Sequence, residues 1–413
     1  MYAIAFDLGT TTLAASLVEL SSGRRCAMDG SLNPQRSFGA DVVARLDAAV
    51  HDTSAASAMT GLVRAELGRL AQSLLQQSGV GEKPVRLAAV AGNPAMQHLL
   101  LGWPVETLVR PPFRPRQTTG LTIAAAELDW AFCEQVYLFP QPGGFVGGDT
   151  VAFLFGCQQQ APSSPALYLD MGTNGEMALD DGQTLWATSA AAGPAFEGGN
   201  LSCGMAALRG AISDLSLDDD RLQTSVLGGG RPLGICGSAV IRLVAALRRK
   251  GIIDRSGRLL TPAEVSSNLA TRLMERAGEL VFVLHRDAQG QVVLTQGDIR
   301  QLQLAKGAVR AGLDVLLERA RIHCDALRDL ILTGSFGAVL EPQDLKTVGI
   351  FSEEMVEKCR FVSEGALAGV ERFVLHPEGV PAVESLAARC RVVPLSGTHL
   401  FEQKFLEQID FPA

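Results

Sequence analysis

Two stretches of the sequence share one pattern: residues 7–12 read DLGTTT, and residues 170–175 read DMGTNG. In both, an apolar run leads into an aspartate, a glycine and a threonine follow within three residues, and a second apolar run begins soon afterwards. Apolar runs on either side of a short glycine-containing polar turn predict a β-hairpin. The sequence therefore predicts the same strand, turn and strand twice, each time with a polar tip.

The segments around these hairpins alternate between helical and strand-like patterns. Apolar residues recur at helical spacing over 62–77 and again over 299–322, where Asp298 is the predicted N-cap. Short apolar runs at 85–90 and 330–332 predict buried strands. This mixture of elements predicts an α/β fold.

Length and composition favour two domains. The chain has 413 residues, of which 47% are hydrophobic and 19% charged, a balance typical of well-packed globular proteins. A single core rarely organises more than about 250–300 residues. The polar, proline-containing stretch 158–165 (QQQAPSSP) is the best candidate for a crossing between domains, so we predict domains at 1–157 and 166–413.

Charge and hydropathy argue against two classes of partner. The formal net charge is −8 and there is no long basic run, whereas nucleic-acid binding requires clustered Lys and Arg. The basic cluster at 248–250 fits the end of a helix, where positive charge is favourable. No stretch approaches the ~20 apolar residues that span a bilayer, and the N-terminus does not read as a signal segment. We therefore expect a cytoplasmic protein that binds neither nucleic acid nor membranes.

The eight cysteines are scattered along the chain without a C-x-x-C pair. This spacing predicts reduced, mostly buried thiols and no iron–sulfur cluster within a local segment. One alternative stays open, because Cys203 and Cys236 from each of two subunits could hold a cluster across a dimer axis.

The residue types in both hairpin tips suit ATP with its magnesium ion. Backbone N–H groups of tight turns bind phosphate where small residues let the chain come close, and carboxylates orient a hydrated Mg²⁺. Asp7 and Asp170 are therefore the predicted magnesium-binding residues and are counted among the catalytic candidates. Taken singly, each stretch is also an ordinary turn, because Asp, Gly and Thr are common turn residues.

A third glycine-containing turn strengthens the prediction. Residues 333–337 (TGSFG) end a predicted strand about as far beyond Asp170 as Asp170 lies beyond Asp7. The order resembles the superfamily of acetate and sugar kinases, heat-shock chaperones and actin, in which two phosphate hairpins are followed by a turn against the adenosine. The resemblance implies an α/β protein with two actin-like (ribonuclease H-like) domains and an inter-domain nucleotide cleft. The nucleotide-binding residues implied are Gly9, Thr10, Thr11, Thr12, Gly172, Thr173, Asn174, Gly175, Gly334, Ser335, Phe336 and Gly337.

Two further segments resemble the connecting segments of that superfamily. In 147–152 (GGDTVA), Asp149 is predicted to orient the attacking water or hydroxyl. Asp149 fits the N-cap of a helix over 151–155 equally well, and the sequence leaves both roles open. The segment 234–238 (GICGS) opens a predicted helix over 239–250, and its glycines would let helices cross closely at a hinge.

Finer motifs extend the resemblance to one family, the actin-like domain of the reductive activators of corrinoid proteins. Ser335 and Ala239 stand where that family more often has glycine. The matching stretches are NPQRSFGADVVARL (33–46), AGNPAMQHLLLG (91–102), VGGDTVA (146–152), DMGTNGEM (170–177), ATSAAAGPAFEGG (187–199), LSCGM (201–205), GICGS (234–238), DIRQLQLAKGAVRAG (298–312) and GSFG (334–337).

This resemblance implies that ATP binding and hydrolysis drive an uphill electron transfer onto a cob(II)alamin-bearing partner of a methyl-transfer system. The family typically carries an N-terminal ferredoxin-like domain, whereas this sequence begins at the first phosphate loop, so we expect a separate low-potential electron donor.

Residues 187–205 are the predicted contact with the corrinoid protein, with a buried crossover between domains as the alternative. A homodimer is compatible with the resemblance. Two other functions stay open: a small-molecule kinase of the same superfamily and a chaperone-like ATPase without redox chemistry.

Overall fold

The computed structural model describes residues 1–80, 85–158, 162–218, 221–334 and 340–413. The strands within these ranges are β1 (Tyr2–Leu8), β2 (Thr12–Glu19), β3 (Arg25–Leu32), β4 (Val85–Gly92), β5 (Leu121–Ala124), β6 (Cys133–Leu138), β7 (Ala166–Met171), β8 (Gly175–Asp180), β9 (Leu185–Ala190), β10 (Ala211–Asp218), β11 (Arg221–Val226), β12 (Gly234–Ile235), β13 (Leu273–Arg276), β14 (Glu279–Asp287), β15 (Gly290–Thr295), β16 (Asp329–Thr333), β17 (Cys359–Phe361) and β18 (Cys390–Val392).

The α-helices lie between these strands along the chain, and short 3-10 helices supplement them. In the same ranges no helix combines the length and the apolar character needed to cross a membrane. The α-helices are α1 (Val42–His51), α2 (Thr53–Ser78), α3 (Pro94–Leu101), α4 (Glu106–Val109), α5 (Gly148–Cys157), α6 (Gly237–Arg249), α7 (Gln296–Ala320), α8 (Pro342–Val348), α9 (Glu353–Val356), α10 (Gly365–Leu375), α11 (Gly379–Arg389) and α12 (His399–Glu407).

The chain divides into two compact units, each made of three segments. The first unit comprises Met1–Ser163, Asp180–Thr188 and Glu364–Val393, and the second comprises Ser164–Leu179, Ser189–Ser363 and Pro394–Ala413. The first change of unit falls within the predicted crossing at 158–165, of which residues 159–161 lie outside the described residues. The domain bounds 1–157 and 166–413 stay a prediction.

The first unit contains a mixed sheet with the strand order β3-β2-β1-β4-β6-β5. Strand β1 pairs antiparallel with β2 and parallel with β4, so the predicted first hairpin is confirmed. Six of the seven residues of β1 are buried, as expected for a central strand covered on both faces. Its side chains share one apolar core with residues of α2 such as Val63 and Leu67.

Helix α2 confirms the helix predicted over 62–77 and extends it at both ends. It begins at Thr53 because the Asp52 side chain accepts a hydrogen bond from Ser54 N at 2.7 Å, as an N-cap does. It ends at Gly79, whose φ of 62° belongs to the left-handed region that glycine adopts readily.

The second unit contains the strand order β17-β16-β7-β8, with β16 parallel to both β17 and β7. The register of β16 on β7 places Thr333 opposite Asp170, so the predicted third turn begins beside the second hairpin. Two smaller sheets, β11-β10-β12 and β13-β14-β15, belong to this unit as well.

The structure corrects the start of the predicted helix over 299–322. The N-cap of α7 is Thr295, not Asp298, and the helix runs over Gln296–Ala320. Asp298 instead completes a capping box, since Thr295 Oγ1 accepts from Asp298 N at 3.0 Å and Asp298 Oδ2 accepts from Thr295 N at 2.9 Å.

Helix α6 confirms the interpretation of the basic cluster at 248–250. The helix ends at Arg249, so Arg248 and Arg249 occupy its last turn, where cations interact favourably with the helix dipole. Its start at Gly237 is two residues earlier than predicted.

Candidate functional site

The first hairpin tip comprises residues 9–12, since Leu8 and Leu13 are the last paired residues of β1 and β2. Asp7 is the penultimate residue of β1 and leads directly into the tip. A Cβ atom added to Gly9 would lie 2.5 Å from Thr12 O, closer than real Cβ contacts come. The tight turn therefore requires glycine at this position, as expected for a loop that brings its backbone close to a ligand.

Two asparagines that the sequence analysis did not single out hold this tip. Asn33 donates from Nδ2 to Gly9 O at 2.9 Å and from its backbone N to Thr11 O at 2.8 Å. Asn93 donates from Nδ2 to Thr10 Oγ1 at 3.0 Å. Each asparagine is the N-cap of a helix whose first residue is proline. The Asn-Pro dipeptide that both share is the sequence signal that could have identified them as N-cap residues.

Asp149 lies in the first turn of α5, and the N-cap of that helix is Gly147. The prediction that Asp149 is itself the N-cap residue is therefore wrong. The Asp149 carboxylate accepts a hydrogen bond from Thr150 N at 2.7 Å. Burial raises the pKa of Asp149 to about 6, although bonds from Thr150 act in the opposite direction. A carboxyl group with this pKa is suited to proton transfer near neutral pH, and the catalytic role of Asp149 stays a prediction.

Asp149 lies near the carboxyl end of β4, next to the first hairpin. A Cβ atom added to Gly147 would lie 2.5 Å from Asn93 Cα and 2.9 Å from Asp149 Oδ1. In the register of β1 on β4, Asp7 lies opposite Ala91. The first unit therefore gathers the first hairpin, Asn93 and the start of α5 at the same end of its sheet.

The second hairpin tip lies between β7 and β8, which are neighbours in their sheet. Asp170 is the penultimate residue of β7, the position that Asp7 has in β1. The Gly172 N–H group donates to Asn174 O at 2.9 Å and closes the turn. A Cβ atom added to Gly175 would lie 2.9 Å from Val309 Cγ2, so glycine lets the tip pack against α7.

Glu197, which the sequence analysis treated only as part of the candidate contact segment 187–205, contacts this tip. Its Oε2 atom accepts a hydrogen bond from Thr173 Oγ1. The neighbouring Phe196 is fully buried, and a Cβ atom added to Gly237 would lie 1.7 Å from Phe196 O. Gly237 thus allows the start of α6 to approach the short 3-10 helix formed by Pro194–Glu197. The hinge proposed for the segment 234–238 stays a prediction.

The third predicted turn begins where the sequence placed it. Gly334 follows β16 with a φ of 142°, and a Cβ atom added to it would lie 2.4 Å from Met171 O, so it lies against the second hairpin. Ser335, Phe336 and Gly337, the other residues predicted for this turn, lie outside the described residues.

The cysteines differ from the prediction in their exposure. Two of the eight, Cys157 and Cys236, are buried, whereas the other six are partly exposed, and all eight are free thiols. Burial raises the pKa of Cys133 to about 11 and that of Cys359 and Cys390 to about 12. Cys203 and Cys236 lie in adjoining segments, since Ile235 N donates to Cys203 O at 2.8 Å.

The mixed sheets and the two glycine-containing hairpins define an actin-like ATPase fold, the α/β class that the sequence predicted. Residues 2–161 match the family described as the RACo middle region, and residues 164–413 match that described as the C-terminal domain of RACo, the ASKHA domain. The chain therefore belongs to the RACo family, the reductive activators that its motifs resemble.

Three known proteins show how far the similarity reaches. The chain is 27% identical to the corrinoid activation enzyme RamQ of Eubacterium limosum over 98% of its own length and 69% of that protein. It is 24% identical to the Co(II) methylated amine-specific corrinoid protein reductase of Methanosarcina barkeri over 84% of its length and 65% of that protein. A solved reductive activator for a corrinoid, iron–sulfur protein superposes with a TM-score of 0.90 at 30% identity, covering 100% of this chain and 66% of that one. The chain thus spans about two thirds of the length of these relatives.

Proposed function

We propose that this chain binds and hydrolyses Mg·ATP to drive the reductive reactivation of a corrinoid (B12) protein of a methyl-transfer system. Two relatives carry names that state corrinoid activation or the reduction of a corrinoid protein, and the solved relative is a reductive activator. The family match along both segments carries the proposal. Its chemistry rests on the two hairpins, in each of which a polar side chain binds a threonine hydroxyl.

Asp7 and Asp170 are proposed to hold the magnesium ion, directly or through its water molecules. When bound, the ion supplies positive charge that offsets the charge on the phosphate oxygens. Among the described residues, no group of three or more His, Cys, Asp or Glu side chains forms a metal site of its own. This fits Mg²⁺, which commonly takes one or two carboxylates and completes its coordination with phosphates and water.

Asp149 is proposed to orient the attacking water and to accept its proton. With a pKa of about 6, the carboxyl group is mostly ionised at neutral pH and remains close enough to that pH to exchange a proton. The short bond to Thr150 N fixes one carboxylate oxygen at the start of α5. The second oxygen is then the proposed acceptor.

The electron is proposed to come from a separate low-potential donor. The eight cysteines are scattered along the chain without a C-x-x-C pair, a spacing that does not favour an iron–sulfur cluster within a local segment. A cytoplasmic homodimer remains part of the proposal.

The corrinoid protein is proposed to contact the segment 187–205. Because Phe196 is buried and Glu197 is bound to Thr173, the contact would use exposed residues such as Asn200 and Ser202.

The proposal is tested by the fate of the γ-phosphate of labelled ATP. We expect inorganic phosphate to appear, and to appear faster when a corrinoid protein and a low-potential reductant are added. The same assay over a small library of metabolites distinguishes the alternatives. A phosphorylated metabolite would identify a kinase and overturn the proposal, and stimulation only by unfolded or non-corrinoid proteins would favour a chaperone-like ATPase.

A further inference from the structure

Helix α5, which carries Asp149 in its first turn, begins without a capping side chain of its own. Its N-cap is Gly147, which has no side chain that could accept a hydrogen bond from the first N–H groups of the helix. Such N–H groups have no partner within a helix and take one from elsewhere. Gln141 is that partner for Gly148, because Gln141 Oε1 accepts a hydrogen bond from Gly148 N at 3.3 Å. The start of α5 is therefore capped by a side chain from the loop between β6 and α5.

The other end of the Gln141 amide is bound to the sheet of the first unit. Its Nε2 atom donates to Gly92 O, at the end of β4, at 3.1 Å and to Phe139 O, just after β6, at 3.3 Å. The same atom donates to Gln97 Oε1 of α3. Carbonyl oxygens only accept and the Gly148 N–H group only donates, so the two ends of the amide cannot be exchanged. Gln141, which is 1% exposed, thus links α5 to β4, β6 and α3 in one orientation.

The two glycines at the start of α5 lie close to both this amide and the Asp149 carboxylate. A Cβ atom added to Gly148 would lie 3.3 Å from Gln141 Nε2. A Cβ atom added to Gly147 would lie 2.8 Å from Gly92 O and 2.9 Å from Asp149 Oδ1. This close packing leaves the glycines little room to move, so a displacement of the Gln141 amide would also displace Asp149.

The position of Asp149 matters because a general base must lie within hydrogen-bond reach of the proton that it accepts. A misplacement of about 1 Å can lower a rate about 10²-fold. The bond from Thr150 N to the Asp149 carboxylate fixes the side chain relative to α5. It does not fix α5 relative to the sheet, and the Gln141 amide supplies this second restraint.

We propose that Gln141 is the positioning residue of Asp149. Its amide holds the start of α5 at the carboxyl end of β4 and so places the carboxylate where it accepts the proton of the attacking water. Gln97 supports this arrangement by accepting from the same amide. The inference rests on the proposed role of Asp149 in hydrolysis and adds the residue through which the sheet fixes that side chain.

Gln141→Met tests the assignment, because methionine has a similar size and lacks the amide donor and acceptor. We expect kcat for ATP hydrolysis to fall about 10–100-fold, whereas the affinity for the non-hydrolysable analogue adenylyl-imidodiphosphate, measured by calorimetric titration, should stay within about twofold of wild type. In an Asp149→Asn background the same exchange should not lower kcat further, because the side chain that it displaces no longer accepts a proton. A merely structural contribution would lower kcat by the same factor in both backgrounds.

Gln303→Met in the second unit is the matched control. Gln303 is also 1% exposed, and its Nε2 atom donates to Ser256 O and to Ile409 O, both at 3.1 Å. We expect this exchange to lower the urea midpoint of unfolding as Gln141→Met does, yet to leave ATP hydrolysis at the wild-type rate.

Gln97→Met keeps the test decisive if Gln141→Met does not fold. Gln97 Nε2 has no hydrogen-bond partner among the described residues, so this exchange removes an unpaired buried donor together with the acceptor for Gln141 and should leave the fold intact. We expect kcat to fall several-fold, again only in the protein that retains Asp149.

The inference is overturned if Gln141→Met, or Gln97→Met in its place, hydrolyses ATP at the wild-type rate or loses the same factor in both backgrounds. Wild-type hydrolysis by Asp149→Asn alone would instead refute the proposed role of Asp149.

Discussion

Gly369 of α10 lies so close to Ala152 of α5 that a Cβ atom added to Gly369 would be 1.7 Å from Ala152 O. Gly156, one turn further along α5, faces the same glycine, and its own added Cβ would be 3.1 Å from Gly369 Cα. The two helices belong to the first unit, and α5 also carries Asp149 in its first turn. The crossing therefore positions the helix that presents the candidate base.

Gly369→Ala should destabilise the protein, because the added methyl group would clash with the backbone of Ala152, which cannot change rotamer as a side chain can. Overpacking of this kind typically costs about 1–3 kcal/mol in the free energy of unfolding. Gly61→Ala in α2 is the matched control, since an added Cβ there has no neighbour within 4 Å and alanine favours the helix by up to about 1 kcal/mol. Urea unfolding of both variants measures the difference, and equal effects would show that the crossing is not tight.

Asp7→Asn and Asp170→Asn should each weaken the binding of Mg·ATP by several-fold or more. Both carboxylates end a strand at the entrance to a hairpin tip, where they are proposed to hold the magnesium ion. Calorimetric titration with the non-hydrolysable analogue adenylyl-imidodiphosphate in the presence of Mg²⁺ provides the measurement. If both variants bind and hydrolyse ATP as the wild type does, the loops have been assigned wrongly.

Asp149→Asn should lower the rate of hydrolysis by about 10²–10⁴-fold while nucleotide binding survives, since the amide cannot accept a proton. In the wild type, kcat/KM for hydrolysis should rise with pH through about 6, the pKa of Asp149 in the free protein. If the variant hydrolyses ATP at the normal rate, Asp149 has no catalytic role and its bond to Thr150 N is structural only.

The same pKa predicts a stability effect of definite sign. Between about pH 4 and pH 6 the folded protein holds a proton on Asp149 that the unfolded chain has lost, because burial raises the folded pKa. The wild type should therefore lose stability relative to Asp149→Asn as the pH rises through this window. Urea midpoints at pH 4.5 and pH 7 check the direction.

Burial of Lys306 should raise the free energy of unfolding as the pH rises above 8. It is 1% exposed in α7, donates to Asp410 O, and lies 5.4 Å from the centroid of the Phe411 ring. Burial lowers the pKa of Lys306 to about 8, so between pH 8 and about 10.5 the unfolded chain holds a proton that the folded protein has released. The free energy of unfolding then rises with pH in the wild type but not in Lys306→Met. A constant difference between the two proteins from pH 7 to pH 10 would contradict this account.

Local signals in the sequence predicted the elements that local physics determines. The apolar runs around Asp7 and Asp170 predicted β1, β2, β7 and β8, because strand pattern and turn residues suffice to specify a hairpin. The sequence prediction began α7 after Asp298, whereas the helix begins after Thr295. The spacing of Thr295 and Asp298 is that of a capping box and indicates the observed start.

The side-chain contacts that hold the two hairpin tips could not be predicted in the same way. Asn93 lies 83 residues from Thr10 along the chain, and Glu197 lies 24 residues from Thr173. Such pairs depend on how strands and helices pack, which hydrophobic periodicity does not specify. For the same reason the close crossing of α5 and α10 at Gly369 was not predicted.

The central claim is tested most directly by electron paramagnetic resonance of a corrinoid protein in its cob(II)alamin state, which is paramagnetic, whereas cob(I)alamin is not. The purified chain, a low-potential reductant and the corrinoid protein are mixed with ATP and Mg²⁺, with the non-hydrolysable analogue, or without nucleotide. The account predicts that the cob(II)alamin signal disappears at an appreciable rate only with ATP, and that Asp149→Asn slows this loss in parallel with hydrolysis. Loss of the signal at the same rate without nucleotide, or a stable signal while ATP is hydrolysed, would contradict the account.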